Sequence, residues 1–178
     1  AARGWAALRH GARRCRLRDL SASFRQALSA RGVRQAVGIP RHQKVYPADV
    51  ALILPFAGRG RPRQCHVPDR MSQAAEAILA GATWRSISWR SGTKGRLSAR
   101  FAALRGRVAD GPTQRSGEKG NQHMPGEEVW LIGERRSKGE RKFYLSNLPA
   151  DASLRALAAT VKARWICEQA HHTRSTRV

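Results

Sequence analysis

The last part of the chain, a strand-forming run followed directly by a long helix, constrains the fold more than any other feature. Residues 143–149 begin with the apolar and aromatic run Phe-Tyr-Leu, and residues 153–171 have helical periodicity. The side chains spaced to share one face of this helix are Leu154, Leu157, Val161, Trp165 and Glu168. The helix therefore carries one carboxylate on an otherwise apolar stripe, and we expect this stripe to pack on the preceding strand.

Glu168 has two interpretations, because a carboxylate on a buried stripe is costly unless it is paired or bound to a metal ion. In the first, Glu168 lies half exposed at a frayed helix end and pairs with Arg164, one turn earlier. In the second, the strand and the helix present Glu168 as a metal ligand beside a sheet, as two-metal phosphoryl-transfer sites require. Spacing alone favours the first interpretation.

The overall charge indicates a polyanionic partner. Of the 178 residues, 34 are Lys or Arg and 12 are Asp or Glu, which gives a formal net charge of +22. The field of such a chain attracts nucleic acid, which is therefore the expected partner. No apolar run reaches the roughly 18 residues that span a bilayer, so no membrane partner is expected.

The cysteines indicate the compartment. Cys15, Cys65 and Cys167 are odd in number and widely spaced. This pattern favours neither a disulfide framework nor a zinc site. It fits a reducing cytoplasm.

The predicted elements before residue 41 are a helix and a strand. Residues 21–31 are predicted to be helical, with Phe24, Ala27 and Leu28 on the apolar face. Residues 35–39 form a short apolar run that ends at a proline, and they are predicted to be a buried strand.

The middle of the chain, residues 41–142, is predicted to be β-rich because short β-prone runs alternate with Gly and Pro. Its predicted elements are strands at residues 50–54, 84–90, 102–108 and 128–133, a helix at residues 72–79, a hairpin around residues 134–141 and a mobile polar loop at residues 111–126. With the flanking helices and strands, this order predicts an α/β fold whose sheet is interrupted by a β-rich insertion.

Five separated blocks of sequence carry a resemblance to a known family. They are Val37-Gly-Ile-Pro, Trp89-Arg-Ser-Gly-Thr-Lys-Gly-Arg-Leu, Gly126-Glu-Glu-Val-Trp-Leu-Ile-Gly-Glu, Tyr144-Leu-Ser-Asn-Leu-Pro and Lys162-Ala-Arg-Trp-Ile-Cys-Glu-Gln-Ala-His. In this order the chain resembles DDE-type transposases of bacterial insertion sequences over about residues 21–171. The resemblance implies an RNase H-like α/β core interrupted by a β-strand-rich insertion.

The resemblance also implies a chemistry. Members of this family hold two Mg2+ ions with two Asp and one Glu, and use them for DNA strand cleavage and transfer. By this resemblance Glu168 is the catalytic Glu and a metal ligand, and Arg164 contacts DNA phosphate. The implied partner is DNA at the transposon ends, and the implied location is the bacterial cytoplasm at the nucleoid.

Further contacts to the DNA backbone are expected from the basic residues Arg90, Lys94 and Arg96. Contacts of this kind are made to phosphates and are tolerant of DNA sequence, and they weaken as salt rises. Residues 1–20 count for less in this respect, because the frameshift hypothesis described below would make their arginines the product of a shifted reading frame.

The chain departs from the family pattern at several positions. In the signature Tyr-x2-Arg-x3-Glu-x6-Lys, the Tyr position holds Val161 and the Lys position holds Ser175. The strand that carries the first Asp is expected upstream of Ala1. The second Asp normally lies in an Asp-Ala-Gly-Tyr-Gly block before the helix at Phe24, where this chain has residues 15–20 without that block.

A frameshift would account for the altered block. Residues 14–18 can be encoded by CGA-TGC-CGG-CTA-CGG, and the same bases read one nucleotide later contain GAT-GCC-GGC-TAC-GG, which encodes Asp-Ala-Gly-Tyr-Gly. We therefore expect residues 1–20 to be out of frame or disordered, and residues 172–178 to be a divergent tail. The nucleotide sequence of the gene tests this hypothesis, because codons that do not yield the motif in another frame would exclude it.

The chain is thus expected to be a truncated transposase fragment with an incomplete RNase H-like core. Residues 21–40 and 143–171 are the predicted core segments, and residues 41–142 are the predicted insertion. Without both Asp ligands the fragment is predicted to be inactive and to retain only DNA binding. The alternative is a non-catalytic basic nucleic-acid-binding protein, in which Glu168 would be exposed to solvent.

Other side chains carry weaker functional signals. Trp84, Trp89 and Trp130 could stack on unpaired bases, but packing within the β-rich region is the favoured interpretation. Cys65-His66 and His171-His172 lack the further ligands that a zinc site needs. Residues 92–95 lack the full phosphate-loop pattern and are interpreted as a basic β-turn.

Overall fold

The computed structural model describes residues 17–54, 65–92, 95–115, 121–137 and 139–163. The chain divides into two compact units, residues 1–33 and residues 34–178. In the first unit, Leu17–Ala30 forms helix α1. The helix predicted at residues 21–31 is confirmed by α1, in which Phe24 is 58% exposed and Arg25 is buried. Periodicity identifies residues that share a face, but it does not reveal whether another element covers that face.

The second unit contains the strands and the remaining described helices. The strands are β1 Ala36–Ile39, β2 Lys44–Pro47, β3 Leu52–Ile53, β4 Val67–Pro68, β5 Gln73–Ala74, β6 Arg85–Gly92, β7 Gly95–Val108, β8 Thr113–Arg115, β9 Asn121–His123, β10 Glu128–Arg135 and β11 Arg141–Ser146. The helices are α2 Ala75–Ala80 and α3, residues 154–163. The fold is therefore mixed α/β and rich in strands, in agreement with the coarse fold class that the sequence predicts.

One antiparallel sheet organises the second unit. Its strand order is β1-β11-β10-β7-β2-β5, and β6 pairs with β7. The predicted hairpin around residues 134–141 is confirmed, because β10 and β11 pair from Trp130 opposite Ser146 to Arg135 opposite Arg141. The strand predicted at residues 35–39 is also confirmed, as β1. Its predicted burial is wrong, because β1 lies at an edge of the sheet and is only partly buried.

Helices cover both faces of the sheet. Successive side chains of a strand point to opposite faces, and the two apolar clusters follow this alternation. One cluster joins Val129 and Leu131 of β10 to Leu79 of α2. The other joins Ile132 of β10 to Leu157 and Val161 of α3. The part of the predicted apolar stripe that the structure describes is thus buried on the sheet, as expected.

Two regions differ from the predicted elements. The predicted strand at residues 50–54 is reduced to the two residues of β3. The predicted loop at residues 111–126 contains the β8–β9 pair, with Thr113 opposite His123. The β8–β9 pair is held to β2 by a hydrogen bond from the Tyr46 hydroxyl to the His123 carbonyl at 2.7 Å. These polar strands lack apolar alternation, so periodicity did not identify them.

Gly133 generates a prediction about packing. A Cβ atom at this position would lie 2.6 Å from Cη2 of Trp84 and 3.1 Å from Cδ1 of Leu79. We expect Gly133→Ala to lower the free energy of unfolding by about 1–3 kcal/mol, because the rigid indole must move. Gly81→Ala is the control, since nothing lies within 4 Å of a Cβ there. Urea denaturation measures both variants, and equal stabilities would contradict this packing.

Candidate functional site

The most unusual side chain of the second unit is the acid near the end of β10. Glu134 is 0% exposed. Its cross-strand neighbours are Phe101 on β7 and Lys142 on β11. Its side chain therefore projects from the middle of the sheet, on the face that α3 covers.

Three elements donate hydrogen bonds to the Glu134 carboxylate. The Tyr144 hydroxyl on β11 donates to Oε2 at 2.9 Å. Nε of Arg136, in the connection after β10, donates to Oε1 at 2.9 Å. The Lys162 ammonium on α3 donates to the same Oε1. We refer to Glu134, Arg136, Tyr144 and Lys162 as the buried charge network.

This network shifts the pKa of each member of its central ion pair. Burial acts to raise the pKa of Glu134, but the hydrogen bonds from Lys162 and Arg136 outweigh it and bring the pKa below its ordinary value. Burial lowers the pKa of Lys162, and the hydrogen bond to Glu134 offsets only part of that effect. At neutral pH the carboxylate is ionised and is neutralised by its cationic partners.

Aromatic rings complete the surroundings of Lys162. Its Nζ lies 4.6 Å from the centre of the Trp89 ring and 5.7 Å from that of Phe101. The two rings meet edge to face with their centres 6.0 Å apart. Cation–π attraction of this kind is strongest where the cation is shielded from water. Lys162 thus joins α3 to β6 and β7 as well as to β10.

A cavity of about 1100 Å³ opens beside the buried charge network. Its walls include Trp89 of β6, Val161 of α3 and residues of the β10–β11 hairpin. Among the described residues, five cationic side chains line it: Arg41, Arg136, Arg141, Lys142 and Lys162. The acids that line it are Glu76 and Glu134. The cavity is therefore a concave surface with an excess of positive charge, suited to an anionic ligand.

The comparison with protein families identifies part of the chain. Residues 20–96 match a family model described as DDE superfamily endonuclease. This match supports a DDE-type, transposase-like domain. Such a domain implies an RNase H-like fold and a DNA substrate, and DDE superfamily endonucleases generally depend on divalent metal ions. No curated protein and no solved structure matches the chain.

The residues predicted to serve the transposase-like domain are only partly described. Arg96 is exposed on β7. Arg90 lies in β6, but its side chain is outside the described residues, as are Lys94, Arg164 and Glu168. The roles predicted for all five stay predictions.

Across the described part of the chain, no helix has the length and apolar character that crossing a bilayer requires.

The described residues of the chain do not fit a divalent metal ion. Within them, no three His, Cys, Asp or Glu side chains lie close enough together to hold one. Glu134 is unsuitable because its Oε1 already accepts from Lys162 and Arg136. A metal ion bound there would face two positive charges at short range. The expected Mg2+ site at Glu168 lies outside the described residues.

The tryptophans at positions 84, 89 and 130 differ in their roles. The indole N–H of Trp84 donates to the Leu79 carbonyl at 3.3 Å, and that of Trp130 donates to the Pro149 carbonyl at 2.9 Å. Both contacts agree with the packing interpretation. Trp89 packs against Phe101 and also lines the cavity.

Sequence reasoning missed Glu134 as a site residue, although the sequence contains one signal for it. Trp130, Ile132 and Glu134 alternate along β10 and share the face that packs on α3. An acid that continues such an alternation indicates a buried carboxylate in need of partners. No local pattern, however, identifies Lys162 as the partner.

The buried charge network predicts a pH-dependent loss of stability. We expect Glu134→Gln to lower the free energy of unfolding by about 3–5 kcal/mol near pH 7, because it leaves the Lys162 ammonium buried without its counter-charge. The pKa of Glu134 is lowered by folding, so its ionised form stabilises the fold above its ordinary pKa of 4.5. That contribution is lost as pH falls through the lower folded pKa. The variant should therefore approach the parent chain in acid, as measured by urea denaturation at several pH values.

Two further variants separate burial from charge. Glu140→Gln removes an exposed carboxylate that also pairs with Arg136, and it should cost less than about 1 kcal/mol. Glu134→Gln combined with Lys162→Met removes both members of the buried pair and should recover much of the lost stability. Equal effects of Glu134→Gln and Glu140→Gln at pH 7 would contradict the buried pair.

Proposed function

We propose that this chain is a fragment of a DDE-type transposase of an insertion sequence, and that it binds DNA without cleaving it by itself. The observation that carries the proposal is the cationic cavity, in a chain whose residues 20–96 match a DDE superfamily endonuclease. Both acids that line this cavity, Glu76 and Glu134, contact two cations each, so the cavity is equipped to bind an anion and not to activate water through a metal ion.

The net charge of the chain and the positions of its exposed arginines support DNA binding. The chain has a formal net charge of +22. Exposed arginines such as Arg96 and Arg100 lie on β7, where they can reach a polyanion. Contacts from such side chains to phosphates supply affinity without reading the base sequence. The proposed partner is therefore duplex DNA, including transposon ends.

The proposed lack of cleavage rests on residues inside the chain. Two-metal cleavage needs several carboxylates around two ions. The block expected before Phe24 to contain the second Asp is replaced by residues 15–20 without that motif. The signature positions for Tyr and Lys hold Val161 and Ser175. Glu168 alone cannot hold two ions in the geometry that in-line attack requires.

An incomplete RNase H-like core is part of the same proposal. β1 pairs with β11 and lies at an edge of the main sheet. An edge strand offers backbone groups on which a further strand can pair. In an intact transposase, a strand carrying the first Asp could occupy such a position.

The alternative function is a non-catalytic nucleic-acid-binding protein unrelated to transposases. It is not favoured, because residues 20–96 match an endonuclease family. Its predicted sign, a solvent-exposed Glu168, concerns a residue outside the described part of the chain.

One experiment with two readouts tests the proposal. Purified chain is titrated against a labelled DNA duplex at several salt concentrations, and the same samples are incubated with Mg2+ or Mn2+ and examined for nicked strands. We expect binding whose logarithm falls linearly with the logarithm of salt concentration, with no strand cleavage. Salt-independent binding or no binding would reject the DNA partner. Metal-dependent turnover would reject the proposed inactivity.

A further inference from the structure

The cations that line the cavity outnumber the carboxylates that they contact. Each nearby acid contacts two of them: Glu76 contacts Arg41 and Arg141, Glu134 contacts Arg136 and Lys162, and Glu140 contacts Arg136 and Lys142. Within the described residues, five cations thus share three carboxylates, which leaves two positive charges without a counter-charge. An anionic ligand with a charge of about −2 would balance this set.

The cations lie at different depths. The Arg41 side chain is 74% exposed, and those of Arg136, Arg141 and Lys142 are also well exposed to solvent. The Lys162 side chain is only 13% exposed. The exposed cations therefore mark the mouth of the cavity, and Lys162 belongs to its interior wall beside Trp89.

The contacts at the mouth leave donors available. Nε of Arg41 lies 3.9 Å from Oε2 of Glu76, and Nη1 of Arg141 lies 3.5 Å from Oε1 of the same residue. Both distances exceed that of a good hydrogen bond. Against the rest of the described chain, the side chains of these two arginines make no other polar contact. Their remaining N–H groups can therefore turn to a ligand at small cost.

We propose that this cavity binds phosphate groups of one DNA strand, with a combined charge of about −2. Arginine forks match phosphate oxygens in bidentate geometry, and a lysine adds a compact point charge. Either a terminal phosphate, which carries about −1.5 to −2 near pH 7, or two successive phosphodiesters provide this charge. The inference rests on the proposed function, because it names the part of the DNA that the cavity contacts.

Glu134 prepares the cavity for this ligand. Its carboxylate holds Arg136 and Lys162 in position before any phosphate arrives. Binding then requires little rearrangement of the deeper wall, and only the loosely paired cations at the mouth must reorient. Glu76 acts in the opposite sense, because it competes with phosphate for Arg41 and Arg141.

Loss of a cation at the mouth provides the first test. Binding of a single-stranded oligonucleotide is measured against salt for the full chain, for Arg141→Gln and for Lys142→Gln. Each variant should reduce the salt slope by roughly 0.7, the value for one phosphate contact on a single strand. Arg70→Gln is the matched control, because Arg70 pairs with Asp49 away from the cavity. It should leave the slope nearly unchanged.

Gain of affinity provides the second test. Glu76→Gln removes the acid that competes for Arg41 and Arg141, so it should bind the oligonucleotide more tightly and with a steeper salt slope. Tighter binding by this variant could not result from a damaged fold, because a damaged fold would weaken binding. Thermal unfolding of every variant checks that the fold is retained.

The source of the phosphate is decided with paired ligands. The same oligonucleotide is compared with and without a terminal phosphate, for the full chain and for Arg141→Gln. If the terminal phosphate is the ligand, its removal should weaken binding to the full chain about tenfold and should matter less to the variant. If two phosphodiesters are the ligand, its removal should have little effect, while the variant still loses salt slope.

Other outcomes would overturn the inference. Equal slope changes in Arg141→Gln and Arg70→Gln would show that the cavity has no special role, although DNA binding itself would stand. Weaker or unchanged binding by a folded Glu76→Gln would have the same meaning. If the full chain binds neither oligonucleotide nor duplex, the proposed function fails, and this inference fails with it.

Discussion

Burial of the Glu134 carboxylate beneath α3 is the interaction on which the architecture of the second unit depends. A carboxylate removed from water is stable only when donors surround it, and here the donors come from β11, from the connection after β10 and from α3. The pair that Glu134 forms with Lys162 therefore attaches α3 to the sheet at a defined position. Apolar contacts of Leu157 and Val161 extend the same interface.

This arrangement places the buried ion pair beside the cations that line the cavity. Lys162 and Arg136 neutralise Glu134, and both also line the cavity. A carboxylate with two cationic partners is a poor metal ligand, so Glu134 does not substitute for the Glu168 site that the family resemblance implies. Under the proposed function, DNA binding and metal-dependent cleavage depend on different residues. Under that proposal, a chain without metal-dependent cleavage can still bind DNA.

The elements that sequence predicted correctly are those with a local apolar signal. β1, β6, β10 and the β10–β11 hairpin follow from short apolar runs and turns, and the buried stripe of α3 follows from helical spacing. The β8–β9 pair lacks such a signal because its strands are polar.

The sequence by itself determined the sign of the charge, the alternation of the main strands and the resemblance to DDE-type transposases, because these depend on residue identity and local order. Only the tertiary structure decided which acid of the described chain lies in the core and which cations meet it. Glu134 and Lys162 are 28 positions apart, and no local pattern relates them. They become partners because α3 crosses the sheet face at the end of β10, where the cost of burying one charge is offset by the other.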